Sequence, residues 1–453
     1  MRMKKGLKRF LCLLGAAVLL LAAGAFAKVK LWGRPSGERQ AGPARVELSW
    51  DEAMADGAIS DEEIAIHYAP EILAAVNVLL SDSGRGDFLA AVDFDGDMKG
   101  LNNWEHMPDY PLEAVVYYSV QETADNWFVG YYFYHPRDDA EIWLDCHEND
   151  MEGILIAVPR SKEGFLAPTI MYTQGHGKLP FYFDEGWSMS AGSRQGGGLA
   201  LDGDRPIVYI TPNGTLDDAG HSVESARDHS TYWAVGNSGI LYYHGGEAQE
   251  PASFNGPYEQ NLCSYALRSL DELWRQRKGP YTDETLFGEY GAFRGDNYEA
   301  NAANPPWGWR NKTDFGYGGS FLSDPAWTFS RAIGEVSLSS AYTRNPYADW
   351  LITVNGVTAP ANETDVTLQL TQDGGAVSTP AWWMLTPAGD GVWAVAIADP
   401  DRQRLWAAAP EDTVWGLTVI RSDGTPVEGA SADWSAVYLP DGYTATAPEV
   451  TGA

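Results

Sequence analysis

The chain has 453 residues, 44% hydrophobic and 12% aromatic, enough for two or three domains with real cores, which excludes a disordered chain. Its 62 acids outnumber 31 cations, for a formal charge of −31. A body this acidic repels nucleic acid and anionic lipid unless cations bridge, so nucleic-acid partners are excluded.

The N-terminal stretch "MRMKKGLKRF" carries five cations and no acid, and "LCLLGAAVLLLAAGAFA" follows. A basic start, an apolar run and a terminal Ala25-Phe26-Ala27 form the pattern of a secretory signal over residues 1–27, with an uncleaved anchor as the alternative. Either way the body is expected outside the cytoplasm, with membrane contact only through that anchor or through head-group binding. Without these residues 26 cations face 62 acids, a balance of −36. Of the three cysteines, Cys12 lies in the signal. Cys146 and Cys263 are free to pair in an oxidising compartment or to stay as buried thiols.

Residues 28–58 read as a linker. Ser60 and Glu63 form a capping box that opens the helix "DEEIAIHYA", and "PEILAAVNVLL" reads as a second helical segment. From about 110 to 245, runs such as "LEAVVYYSVQET", "NWFVGYYFYHP", "MEGILIAVP", "APTIMYTQGH" and "RPIVYITPNG" are rich in Val, Ile, Tyr and Phe and bounded by turn residues. They predict a mainly β fold, an antiparallel β-sandwich with a few packed helices. "SAGSRQGGGLALDGD" reads as a flexible loop between strands. In "YEQNLCSYALRSLDELWRQRK", Leu262, Cys263, Ala266, Leu267, Leu270, Leu273 and Trp274 fall at helical spacing, with Asp271 and Arg275 as an i,i+4 pair. Residues 59–335 thus make one domain. Residues 336–453, with short β-type runs such as "DWLITVNGV" and "GVWAVAIA", make a second, smaller all-β domain.

The stretch "DCHENDMEG" sets His147 among Asp145, Glu148, Asp150 and Glu152 at the mouth of an apolar strand. Strand alternation puts Asp150 and Glu152 on one face, and His147 joins them only if a turn or bulge precedes Met151. One imidazole with carboxylates suits a divalent ion, with Mg, Ca or Mn favoured over Zn. The alternative is a solvated acidic loop. In "DFDGDMKGLNNWE", Asp93, Asp95 and Asp97 alternate as in calcium loops, but the glycine comes at the fourth position and Glu105 one residue late. That excludes an EF-hand and leaves a looser site or an exposed turn. No H-E-x-x-H, G-x-S-x-G or P-loop motif occurs. Trp307, Trp309, Trp382 and Trp383 read as core residues before sugar-stacking ones.

The H-x-x-D-x-E pattern at His147, Asp150 and Glu152, preceded by "YYFYHPRDD", resembles the bacterial relatives of the necrosis-inducing-protein and vacuolar-sorting-protein-62-like superfamily. "APTIMYTQGHG" and "RPIVYITPNGTLDDAGHSVES" resemble later segments of the same group, and the likeness spans roughly residues 65–330. Met151 stands where the group has Trp. The resemblance implies a β-sandwich with a divalent cation held by Asp139, His147, Asp150 and Glu152, with Asp138 and Asp145 as alternatives to Asp139. It also raises His176 and His221 as second-shell or catalytic candidates. Three functions follow: a surface-binding module for glycan or glycolipid head groups, a metal-dependent hydrolase using His176 or His221 as acid or base, or an envelope-exposed protein braced by a structural ion.

Overall fold

In this computed structural model the structure describes residues 45–140, 146–175, 180–183, 195–214, 220–226, 237–277, 280–288, 291–297, 304–309, 320–333, 338–348, 350–356, 366–376, 385–389, 392–397, 415–421, 423–436 and 449–450. The expected signal lies outside them. So do Asp145, His176, Trp382 and Trp383. No helix among the described residues is long and apolar enough to cross a membrane.

Two short helices come first, α1 (Trp50–Ala53) and α2 (Asp61–His67), each opened by a serine capping box, Ser49 with Glu52 and Ser60 with Glu63. Within the expected linker, α1 is therefore ordered, and Arg45 pairs with Glu71 and Asp202. "PEILAAVNVLL", expected as helix, instead contains strand β1 (Glu71–Val76), every residue of which is buried. A fully buried apolar run carries no alternation to separate strand from helix, and pairing on both edges decides it.

The strands that follow are β2 (Val115–Thr123), β3 (Asn126–Asp138), β4 (His147–Pro159), β5 (Ile170–Gln174), β6 (Phe181–Phe183), β7 (Gln195–Gly198), β8 (Leu201–Asp202), β9 (Arg205–Ile210), β10 (Val223–Ser225), β11 (Ser238–His244) and β12 (Gln260–Ser269). They form one large sheet in the order β10-β9-β1-β11-β12-β2-β3-β4-β5-β6-β7, and β8 pairs with β9. The sheet curls until its ends meet, so that β10 touches β4, β5 and β7. Most neighbours are antiparallel, while β1–β9, β11–β12, β12–β2 and β6–β7 run parallel.

Two expectations fail here. The helix predicted from Leu262 onward is β12, followed only from Asp271 by the short helix α3 (Asp271–Gln276). β12 sits between β11 and β2 and joins the two halves of the sheet, and that pairing overrides a helical apolar spacing. The glycine-rich loop, for its part, contributes β7 and β8.

The core is continuous and aromatic. Trp307 and Trp309 belong to it: Trp307 donates to the Gly291 carbonyl at 2.9 Å, and Trp309 packs edge-on against Phe321 at 4.9 Å. Cys146 and Cys263 are both buried free thiols, which resolves their alternative. Beyond helix α4 (Pro325–Ile333), a short strand (Tyr342–Arg344) pairs with β2. The remaining described strands form two four-stranded sheets of their own. The architecture is mainly β, with few helices.

Candidate metal centre

Strands β3 and β4 build the site. They run antiparallel in one constant register that sets Phe133 opposite Glu152, His135 opposite Asp150, Arg137 opposite Glu148 and Asp138 opposite His147. Pro136, which has no N–H to give the ladder, lies between the paired residues His135 and Arg137. Across from it Asn149 adopts φ 58°, a left-handed conformation that asparagine tolerates better than most residues. The expected turn or bulge before Met151 is absent: the register does not shift, and the irregularity is confined to the Asn149 backbone.

Because alternation breaks there, Glu148 and Asn149 both serve the neighbouring loops. Glu148 accepts from the Trp104 and Asp296 backbone N–H groups at 3.2 and 3.0 Å and from Asn297 at 3.1 Å. The Asn149 amide oxygen accepts from Asn103 at 2.6 Å and Tyr134 at 2.7 Å. Its nitrogen donates to the Gly100 and Arg294 carbonyls, both at 2.7 Å. Glu148, expected in water, is thus fully buried, and burial pushes its carboxyl up to about 7 despite the three donors.

Asp150 points the other way, to His221. The His221 ring is 0% exposed, with Nδ1 2.8 Å from Asp150 Oδ2 and Nε2 3.2 Å from Asp87 Oδ1. Burial disfavours an imidazolium, but hydrogen bonds to Asp150 and Asp87, with the charges of Asp150 and Asp138, lift His221 to about 10. Burial likewise opposes the Asp150 carboxylate, yet the His221 bond and charge hold it down to about 2. His135 stacks flat on His221 at 3.7 Å, and burial together with that neighbouring charge keeps it well below the usual histidine range. His135 therefore supports His221.

His221 itself sits at φ 57°, after Gly220 at φ 87°. Gly175, at the end of β5, lies so close that an added Cβ would come within 2.6 Å of Ser222 Oγ. Backbone strain and close packing both fix the ring in place.

At the outer end of the ladder, His147 Nε2 is 3.7 Å from Asp138 Oδ2, and Nδ1 is 3.3 Å from the Glu148 carbonyl. Asp139 donates its backbone N–H to Asn213 Oδ1 at 2.6 Å and accepts at Oδ1 from the Ala140 N–H and the Cys146 thiol. Glu152 is buried, one rung pair inward from Asp150. Asp138, expected as an alternative, is thus the aspartate beside His147. Asp139 and Asp150 are joined through Asn213, Asp87 and His221.

A second group lies in the loop after β1. Among the described residues, Asp95, Asp97 and His106 bring three ligand atoms within 4.8 Å of one another. His106 Nδ1 contacts Asp95 Oδ2 at 2.6 Å, while Asp97 accepts from Asn102 at 3.2 Å and from the Lys99 N–H at 2.7 Å. Asp93 instead pairs with Arg268 at 2.7 Å, and Glu105 does not join the group. The sequence singled out the aspartates and gave His106 no partner. Its spacing of eleven residues from Asp95 crosses a loop and matches no standard motif.

Three carboxylates and one imidazole, Asp139, Asp150, Glu152 and His147, are a donor set suited to a hard or borderline divalent ion. One oxygen of Asp150 is committed to His221, which leaves Oδ1 to other partners. Both ring nitrogens of His221 face carboxylates, so the ring orients Asp150 and presents neither nitrogen to an ion.

No family model matches the chain, and no curated protein matches it. Among solved structures, the chain is similar to the non-toxic HaNLP3 protein at 14% identity and TM-score 0.26, over 43% of this chain and 78% of that one. It is similar to NLPPya in complex with glucosamine at 13% identity and TM-score 0.26, over 42% and 78%. The figures for NLPPya in complex with mannosamine are 14%, 0.26, 42% and 78%. These are structures of necrosis- and ethylene-inducing proteins. The likeness is partial, and no residue role is carried across from it.

Proposed function

We propose that this is a secreted divalent-cation-binding β protein. Its cation site uses Asp139, His147, Asp150 and Glu152 and serves the binding of glycan or glycolipid head groups at a surface. The observation that carries the reading is the β3–β4 ladder. It pairs Asp138, next to Asp139, with His147 and carries Asp150 and Glu152 farther along the same strand, with Asp150 held by His221. The four proposed ligands are not drawn together as tightly as Asp95, Asp97 and His106 are. A cation among these carboxylates also gives an otherwise repulsive acidic surface a way to hold hydroxyl- or phosphate-bearing head groups.

Calorimetric titration with Mg²⁺, Ca²⁺ and Mn²⁺ tests the ion, with saturable binding expected for the wild-type chain. Glucosamine and mannosamine are the first sugar probes, and sugar binding that persists in EDTA would argue for an ion that only braces the fold. The hydrolase reading gains nothing from His221, whose ring is buried and held at both nitrogens. Secretion is tested by the N-terminal residue of the exported protein, expected at Lys28.

A further inference from the structure

We infer that Asp87 is a positioning residue of the cation site, acting on two of its ligands at once; this rests on the cation reading above. Asp87 closes a short helical turn, Arg85–Asp87, and is 1% exposed. Oδ2 accepts from the Asn77 N–H at 2.7 Å, which ties the carboxylate to the end of β1. Oδ1 accepts from the Asn213 N–H at 2.5 Å and from His221 Nε2 at 3.2 Å. Each of these two contacts leads to a ligand. His221 passes through its other nitrogen to Asp150, while Asn213 passes through its side-chain oxygen to the Asp139 N–H. Asn213 is further held by the Asn77 side chain, which donates to its carbonyl at 3.0 Å.

Asp150 lies on β4 and Asp139 just beyond β3, far apart along the chain from Asp87, so the sheet alone does not fix their carboxylates relative to each other. The network does, from one buried hub. Outer partners of this kind set the orientation of metal ligands, and losing one typically costs 10–100-fold in metal affinity. Asp87 touches neither the ion nor a head group. Its effect is expected on affinity, through geometry.

The test is the Asp87→Asn variant, which keeps the shape and one acceptor oxygen while removing the charge. Divalent-ion affinity is read by calorimetry, and melting temperature is read in EDTA and at saturating ion. Expected is a folded protein, by circular dichroism, whose ion affinity falls about 10–100-fold and whose ion-induced rise in melting temperature shrinks. A merely structural Asp87 would lower both melting temperatures together and leave the dissociation constant unchanged, which overturns the inference. If Asp87→Asn does not fold, Asn213→Ala cuts only the branch to Asp139, and affinity is expected to fall about tenfold; an unchanged constant there also overturns it. Absence of ion binding by the wild-type chain overturns both this inference and the cation reading, whereas wild-type binding with an unaltered variant overturns this one alone.

Discussion

Two groups in this protein set a histidine between carboxylates, and they differ in almost everything else. Asp87, His221 and Asp150 are drawn from segments 134 and 71 residues apart and are buried to 2% exposure or less. Asp95, Asp97 and His106 lie within one loop, with the His106 side chain 35% exposed and the Asp95 side chain buried. In the first group low dielectric makes each pairing strong and each loss costly. In the second, water reaches the imidazole and Asp97 and screens part of the same chemistry. A cluster visible in the sequence is therefore the weaker of the two, and the consequential one is assembled by the sheet.

The contrast predicts its own ordering under mutation. Asp150→Asn leaves the His221 imidazolium buried beside one carboxylate instead of two. It is expected to cost about 3–5 kcal/mol in urea denaturation in EDTA, and a loss under about 1 kcal/mol would put the buried group on a par with the exposed one.

Asp324 sharpens the point, as a buried carboxylate with no imidazole beside it. It accepts from Tyr342, Ser340 and the Trp327 and Ala396 N–H groups, yet burial pushes it up to about 7, opposite in direction to Asp150. A raised carboxyl binds extra protons in the folded state. Stability is therefore greatest below the unfolded value of 3.8 and falls as pH rises to about 7. Asp324→Asn keeps the acceptor that caps α4 and is expected to remove that fall, on the order of 2–4 kcal/mol between pH 4 and 7. An unchanged pH profile would show that Asp324 titrates normally.

Asn149 tests the backbone of the ladder. Asn149→Ala removes the acceptor shared by Tyr134 and Asn103, which keep only their bond to each other, and strains the left-handed turn, for an expected cost of about 2–3 kcal/mol. Asn149→Gly should recover about 1 kcal/mol of that, because glycine adopts φ 58° freely. Equal losses for the two would remove backbone strain from the explanation. Smallest of all, His106→Ala is expected to cost about 1 kcal/mol, because the imidazole is part-exposed while the Asp95 carboxylate it leaves is buried.

What the sequence revealed follows the same division. Local signals were legible: the Ser60–Glu63 box and the strand character of β2 to β6. Long-range ones were not. Nothing near Asp87, within "SGRGDF", marks it as the partner of His221. Glu148 looks like any solvated acid until the loops at Trp104 and Asp296 close over it. β12 has helical apolar spacing yet is extended, because pairing with β11 and β2, which lie elsewhere in the sequence, overrides it. The parallel pairings of β1 and β12 depend on how the sheet curls, which no local run of residues records.

The most direct measurement is a calorimetric titration of Mg²⁺, Ca²⁺ or Mn²⁺ into the wild-type chain and into the double variant Asp150→Ala, Glu152→Ala. Expected is saturable binding by the wild type and none by the folded double variant. Equal binding by the two would contradict a cation site at the end of the β3–β4 ladder and would move attention to Asp95, Asp97 and His106.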